Sequence, residues 1–221
     1  MSRIVLVRHG ESNVTVQRVI GGLRSCSGLS DLGRQQAERL RDRWAVDPEF
    51  EPDVLVSSTY PRAVQTAEIV AAAFPGRAVE QRAEFGEHDP GPDCDGMGYD
   101  EFVERFGVGG WRTDDPYATV YPGGETVAAF QYRVGAALKA LTDDHADRSA
   151  VVFCHGGVID ALLRHVLRAP SRGAFEVFTR NTSITEFERV SRDGAPAIWR
   201  LVRYNDSAHL AGLPAATATG G

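Results

Sequence analysis

The chain has 221 residues, 43% of them hydrophobic and 24% charged, with a formal net charge of -6. That length can bury a full core, the composition is that of a globular protein, and the acidic balance gives no general attraction to nucleic acid or anionic lipid. The apolar run in MSRIVLVRHG is too short for a secretory segment or a membrane span, and Cys26, Cys94 and Cys154 lack CxxC spacing, so a reducing cytoplasm is expected, with neither a disulfide framework nor a cysteine-rich zinc site.

In chain order, Arg3 to Val7 is a short run of Val, Ile and Leu that predicts a strand buried on both faces. Asp31 to Trp44 carries Ala37, Leu40 and Trp44 at spacings of three and four, which predicts an amphipathic helix capped by Ser30 or Asp31. Asp53 to Ser57 predicts a second buried strand, and Pro61 to Phe74 a helix with proline in its first turn and Pro75-Gly76 beyond its end. From Ala83 to Tyr121 the periodicity weakens while Gly, Pro and Asp accumulate, so 83–121 is read as an insertion over the site, with a short helix near Tyr99 to Phe106. Helices are predicted over Thr126 to Leu141 and Val158 to Leu167, and strands over Ala150 to Cys154, Ser183 to Arg189 and Ala197 to Arg203. Alternation of this kind predicts a single-domain α/β three-layer sandwich over residues 1–210, its mostly parallel sheet covered by helices on both faces. Residues 211–221 are small and featureless and are expected to form a disordered tail.

Ligands of open α/β sheets bind beyond the carboxyl ends of the strands. Three predicted strands end there in Arg8-His9-Gly10-Glu11-Ser12, in Ser57-Ser58 followed by Arg62, and in His155-Gly156-Gly157. Two arginines whose planar forks converge can clamp a phosphoryl group, and a neutral imidazole can attack phosphorus without losing a proton first. Glycine after each histidine allows close backbone approach to the substrate and puts helix-start amides near the anion. Any one of these features is more often structural, but three together at one sheet edge point to a phosphoryl pocket. His145 and His165 have no partner at metal-ligand spacing, and no metal is expected.

LVRHGES at Leu6 to Ser12, SSTYPRAVQTAE at Ser57 to Glu68 and CHGGVI at Cys154 to Ile159 resemble, in that order, the histidine phosphatase superfamily, also called phosphoglycerate mutase-like. GLSDLGRQQA at Gly28 to Ala37 and PGGET at Pro122 to Thr126 extend the likeness to about His209. The resemblance implies a phosphoglycerate mutase-like fold and a phosphomonoester hydrolase acting on a small phosphorylated metabolite. It implies His9 as the phosphorylated nucleophile, Arg8, Arg62 and His155 around the phosphoryl oxygens, and no metal or other cofactor. It also implies a glutamate proton donor with glycine four positions further on, a frame that Glu87 fits with Gly91 and Glu84 does not. Thr15 stands where many relatives place a phosphate-contacting asparagine, so Thr15, Asn13 and Ser58 are further phosphate-binding candidates.

The loop from Glu87 to Gly96 lacks a tryptophan common in relatives and reads as a solvated acidic segment, which leaves the substrate open. Phe85, Tyr99, Phe102, Phe106 and Trp111 either line a leaving-group site or pack beneath the insertion. Two alternatives stand beside the phosphatase: a cofactor-dependent phosphoglycerate mutase-type phosphotransferase, whose extra substrate-binding segments are not found, and a non-catalytic protein that binds a phosphorylated ligand. Neither nucleic acid nor membrane is expected as a partner, and a homodimer is left open.

Overall fold

A computed structural model describes residues 3–108, 114–173 and 175–217. Its elements are β1 (Arg3–Arg8), α1 (Asn13–Val16), α2 (Asp31–Val46), β2 (Val54–Ser57), α3 (Pro61–Ala71), β3 (Val79–Gln81), α4 (Gly91–Cys94), α5 (Tyr99–Phe106), α6 (Val127–Asp144), β4 (Ser149–Cys154), α7 (Gly156–Leu167), β5 (Ile184–Arg192) and β6 (Ala195–Asp206). The strands form one six-stranded sheet in the order β3-β2-β4-β1-β5-β6. The first four strands run parallel, whereas β5 is antiparallel to β1 and β6 to β5.

Side-chain alternation along β1 divides the core. Ile4 and Leu6 join one cluster with Phe130, Val134 and Leu141 of α6 and Ile159 and Leu162 of α7. Val5 and Val7 join the other with Leu40 and Trp44 of α2 and Ala67 and Val70 of α3. Both faces of the central strands are therefore apolar, as helices on either side require.

Local chemistry sets the boundaries. The Ser30 side chain accepts the Gly33 N–H at 3.0 Å and starts α2. The predicted helix over Pro61 to Phe74 ends earlier, at Ala71, and Ala73 and Phe74 close tighter turns onto Val70 and Ala71; a residue before proline disfavours helical geometry, which unwinds the end ahead of Pro75. The last two strands are longer than predicted because they form a hairpin through Asp193-Gly194, with Gly194 at φ 72°. The predicted strands stop at Arg189 and start again at Ala197, yet Val190 still pairs with Ile198 and Arg192 with Ala195 up to the turn. Short β3 carried no periodicity to detect.

The segment after β3 folds back on the chain following α1. The Ile20 N–H donates to Met97 O at 2.8 Å and the Tyr99 N–H to Arg18 O at 2.8 Å, while Ile20, Cys94 and Phe102 pack into a small core. The acidic loop is not simply solvated, contrary to expectation. Asp95 accepts the N–H groups of Gly22, Arg24 and Ser25 at 3.1, 2.9 and 3.1 Å. Burial pushes its carboxyl up, but the hydrogen bonds from Ser25, Arg24 and Gly22 outweigh that and leave it below the ordinary carboxylate range. Phe85 and Phe102 are core residues, Phe106 packs on Phe102 at 5.4 Å, and Trp111 lies outside the described residues. In the segment expected as a tail, the Thr217 N–H donates to Glu11 Oε1 at 2.6 Å, and 218–221 lie outside the described residues. Among the described residues no helix is long and apolar enough to cross a membrane.

Candidate active site

Register brings the three strand ends level. Arg8 pairs with Cys154 and Ser57 with Phe153, so His9, Ser58 and His155 emerge side by side. The His9 N–H donates to Cys154 O at 2.9 Å and the Ser58 N–H to Phe153 O at 2.9 Å, which extends the ladder by one residue at each turn. Gly10 serves packing rather than substrate approach: a Cβ there would stand 2.4 Å from the carbonyl oxygen of Gly33, so the catalytic loop lies hard against the start of α2. The Gly10 N–H donates to Thr66 Oγ1, whose own proton goes to Arg62 O, tying that loop to α3.

His9 Nδ1 lies 2.6 Å from Gly10 O. A carbonyl only accepts, so Nδ1 carries the proton and Nε2 keeps its lone pair. Arg62 Nε donates to that Nε2 at 3.1 Å and to His155 Nδ1 at 3.3 Å, while its Nη1 holds Gly21 O at 3.1 Å. The two imidazole centroids are 5.1 Å apart. His155 is fully buried, with Tyr60 edge-on at 4.9 Å and its Nε2 on Ser58 Oγ at 2.8 Å. Arg8 reaches Thr179 O through Nη1, and its Nε is buried with no partner among the described residues.

A cavity of about 880 Å³ opens here, lined by Arg8, His9, Arg62, Glu87, Gly156 and Gly157 at the strand ends. Val14, Val19, Ile20, Tyr121, Phe130 and Phe178 give it apolar walls. Glu87 Oε2 accepts the Gly157 N–H at 3.2 Å, at the first turn of α7, and Oε1 accepts the His88 N–H at 3.0 Å. A Cβ on Gly157 would come within 2.3 Å of Glu87 Oε1, so glycine is what lets the carboxylate reach this end of the cavity.

The sequence candidates separate. Thr15 and Tyr99 line the cavity, and Thr15 Oγ1 meets Ser12 Oγ at 3.0 Å. Asn13 turns to Ser27 Oγ at 3.3 Å, and Ser58 lies behind His155, so neither contributes to the lining. Glu84 is exposed. His88, which the sequence leaves open between tuning the site and facing solvent, lines the cavity between Tyr121 and Phe130 at centroid distances of 6.0 and 5.2 Å. Sequence reasoning missed Arg133, 46 residues from the glutamate whose carbonyl it binds.

Burial, then Arg62 and Arg8, hold His9 well below the ordinary imidazole range, and burial, then Arg62, does the same for His155. Burial lowers His88 as well and brings His209 down to about 4. The unfolded chain therefore binds more protons than the folded one once pH drops below about 6.5, and stability falls with pH from there. Each histidine kept neutral contributes up to about 1.4 kcal/mol per pH unit in this window. Urea midpoints are expected to be level above pH 7 and to decline steadily from pH 6.5 to 5; a level profile across that range would contradict buried neutral rings.

Arg8, His9 and Arg62 line one cavity at the carboxyl edge of a mostly parallel sheet, with His155 buried beside them on the same Arg62 Nε, and this arrangement defines a protein that handles phosphoryl groups through histidine. The chain belongs to the histidine phosphatase superfamily (branch 1), whose family model matches residues 4–207. It is 28% identical over 218 residues to the uncharacterized phosphatase PhoE of Bacillus subtilis, covering 96% of this chain and 99% of that protein. Its structure is similar to that of Bacillus stearothermophilus YhfR, with a TM-score of 0.82 and 25% identity over 95% of this chain and 100% of the other. A mycobacterial glucosyl-3-phosphoglycerate phosphatase complexed with VO3 matches with a TM-score of 0.74 and 26% identity, covering 93% of this chain and 99% of that one. The protein is a histidine-phosphatase-type enzyme for a small phosphorylated metabolite.

Proposed function

We propose that His9 Nε2 attacks the phosphorus of a phosphomonoester, with Arg8, Arg62 and His155 on the phosphoryl oxygens and Glu87 as the proton donor. In the first step the P–N bond forms, the ester P–O bond breaks, and the leaving alkoxide takes the Glu87 proton. In the second step Glu87 takes a proton from water, the resulting hydroxide bonds to phosphorus, the P–N bond breaks, and inorganic phosphate leaves. The observation that carries this reading is the position of Arg62 Nε, shared between His9 Nε2 and His155 Nδ1 on one side of a cavity that Arg8 and Glu87 also line. Ser58 acts through His155: a phosphoryl oxygen at Nδ1 needs a proton there, and the Ser58 hydroxyl can turn to donate to Nε2 as the ring changes tautomer.

The cavity extends beyond the phosphoryl group between apolar side chains and charged ones such as Arg18, Asp160, Arg172 and Glu176, which favours an alcohol with a bulky body that carries both apolar surface and polar groups. Three free buried cysteines and a net charge of -6 favour action in a reducing cytoplasm on a freely diffusing ester, without nucleic acid or membrane.

The test is a rapid mix with p-nitrophenyl phosphate in chelator, followed by alkaline denaturation and peptide mass analysis. One phosphoryl group on the peptide holding His9, with inorganic phosphate as the final product, is expected; turnover with no such adduct would overturn the scheme. Glu87→Gln is expected to slow an alkyl phosphate by about 10²-fold or more and an aryl phosphate much less, because an aryl oxide leaves with little protonation. Equal losses on both esters would remove Glu87 from that role.

A further inference from the structure

The carboxylate of Glu87 is carried by a stretch with little regular structure, the turn Ala83–Phe85 and the loop after it, yet a proton donor has to be placed to within a fraction of an ångström. Phe85 anchors that stretch in the core, and three of its carbonyls are tied down by one side chain of α6. Arg133 Nη1 donates to Glu84 O at 2.8 Å and to Gly86 O at 3.0 Å, and Nη2 donates to Glu87 O at 3.2 Å. Nη2 also binds Glu125 Oε2 at 2.8 Å, and Nε binds Glu125 Oε1 at 3.0 Å. These bonds match the five donors of a guanidinium in number and fork geometry. Glu125 closes the other end: its N–H donates to Asp89 O at 2.9 Å, and its carboxylate accepts the Asp89 N–H at 3.4 Å. The Phe130 ring lies 5.1 Å beneath the guanidinium and faces the catalytic cavity.

We infer that Arg133, held by Glu125, is a positioning residue for proton donation: it fixes the backbone from Glu84 to Glu87 so that the Glu87 carboxyl meets the leaving oxygen. This inference rests on the proposed role of Glu87. A lysine cannot reproduce the arrangement, because an ammonium has three donors radiating from one point, whereas the carbonyls and the carboxylate are met by three nitrogens in a plane. Arg133 itself is not among the residues lining the catalytic cavity, so its removal is expected to act on the chemical step more than on phosphoryl binding.

The experiment compares Arg133→Ala, Arg133→Lys, Glu125→Gln, Glu87→Gln and the Arg133→Ala/Glu87→Gln double variant on an aryl and an alkyl phosphate, with full-length protein whose near-UV spectrum matches wild type. Arg133→Ala is expected to lower kcat for the alkyl ester by about 30- to 100-fold, with KM and the aryl rate changed by less than about threefold. Arg133→Lys is expected to resemble it, Glu125→Gln to show a smaller loss of the same selectivity, and added ethylguanidinium to restore part of the alkyl rate to Arg133→Ala. In the double variant the alkyl loss should match that of Glu87→Gln alone, since a displaced donor and an absent one cost the same. If Arg133→Ala does not fold, Arg133→Lys and Glu125→Gln carry the comparison. Equal losses on both esters, or a full second loss in the double variant, overturn the inference while leaving Glu87 in place. An unselective Glu87→Gln overturns the Glu87 reading instead.

Discussion

His9→Ala is expected to lower hydrolysis of aryl and alkyl phosphates alike by about 10⁵-fold, the scale reached when a covalent nucleophile is removed. The residual hydrolysis, by direct attack of water, still breaks the ester P–O bond and should still favour the aryl ester. Binding should survive. Arg8 and Arg62 supply the cationic clamp, and His9 contributes a neutral ring, held so by burial and by those two arginines. The dissociation constant for phosphate or vanadate, read by calorimetry, is therefore expected to stay within about tenfold of wild type. A variant that keeps more than about one hundredth of the rate would mean that another group takes the phosphoryl.

Arg62→Ala has the next largest effect, a fall in kcat/KM of about 10³- to 10⁴-fold, because one side chain performs three tasks. It supplies half of the guanidinium charge, it donates to both imidazoles, and it ties the Gly21 carbonyl to the site. The pH profile adds a signature. Arg62 is among the groups that keep His9 and His155 below the ordinary imidazole range, so its loss lets both rise. Burial and Arg8 remain, so the rise is partial, and the residual activity should begin to decline at a higher pH than that of wild type as the nucleophile takes up a proton. Arg62→Lys is expected to recover charge but not shape, and so only part of the rate, since one ammonium cannot address two rings and a carbonyl from a planar fork. Identical pH profiles for Arg62→Ala and wild type would detach the arginine from the titration of the histidines.

What the sequence disclosed follows from how local each cause is. The buried strands were legible because Val5, Val7, Val56, Val151 and Val152 leave no polar residue to face water, and the strand ends were legible because phosphoryl chemistry restricts residue types. Ser58 had been set beside the phosphate candidates, yet it stands on the far nitrogen of His155; one-dimensional proximity to Arg62 does not say which way a side chain turns. Asp95 read as solvated because its partners, the amides of Gly22, Arg24 and Ser25, lie about 70 residues upstream and carry no side-chain signature. Arg133 was invisible for the same reason, since the groups it binds in the Glu87 loop are backbone carbonyls, which every residue possesses. The hairpin through Gly194 exceeded its prediction because ladder bonds are indifferent to side-chain polarity on an exposed edge.

The hydrogen bond from Arg62 Nε to His9 Nε2 has a consequence for covalent inhibition. While Arg62 donates to it, the His9 lone pair is engaged, so an uncharged acylating reagent finds a capped nitrogen there and modifies exposed rings such as His165 first. An electrophile that carries its own sulfonate or phosphonate draws the guanidinium onto itself and uncaps the ring it is about to meet. Selective reagents for this enzyme should therefore pair a reactive centre with an oxyanion.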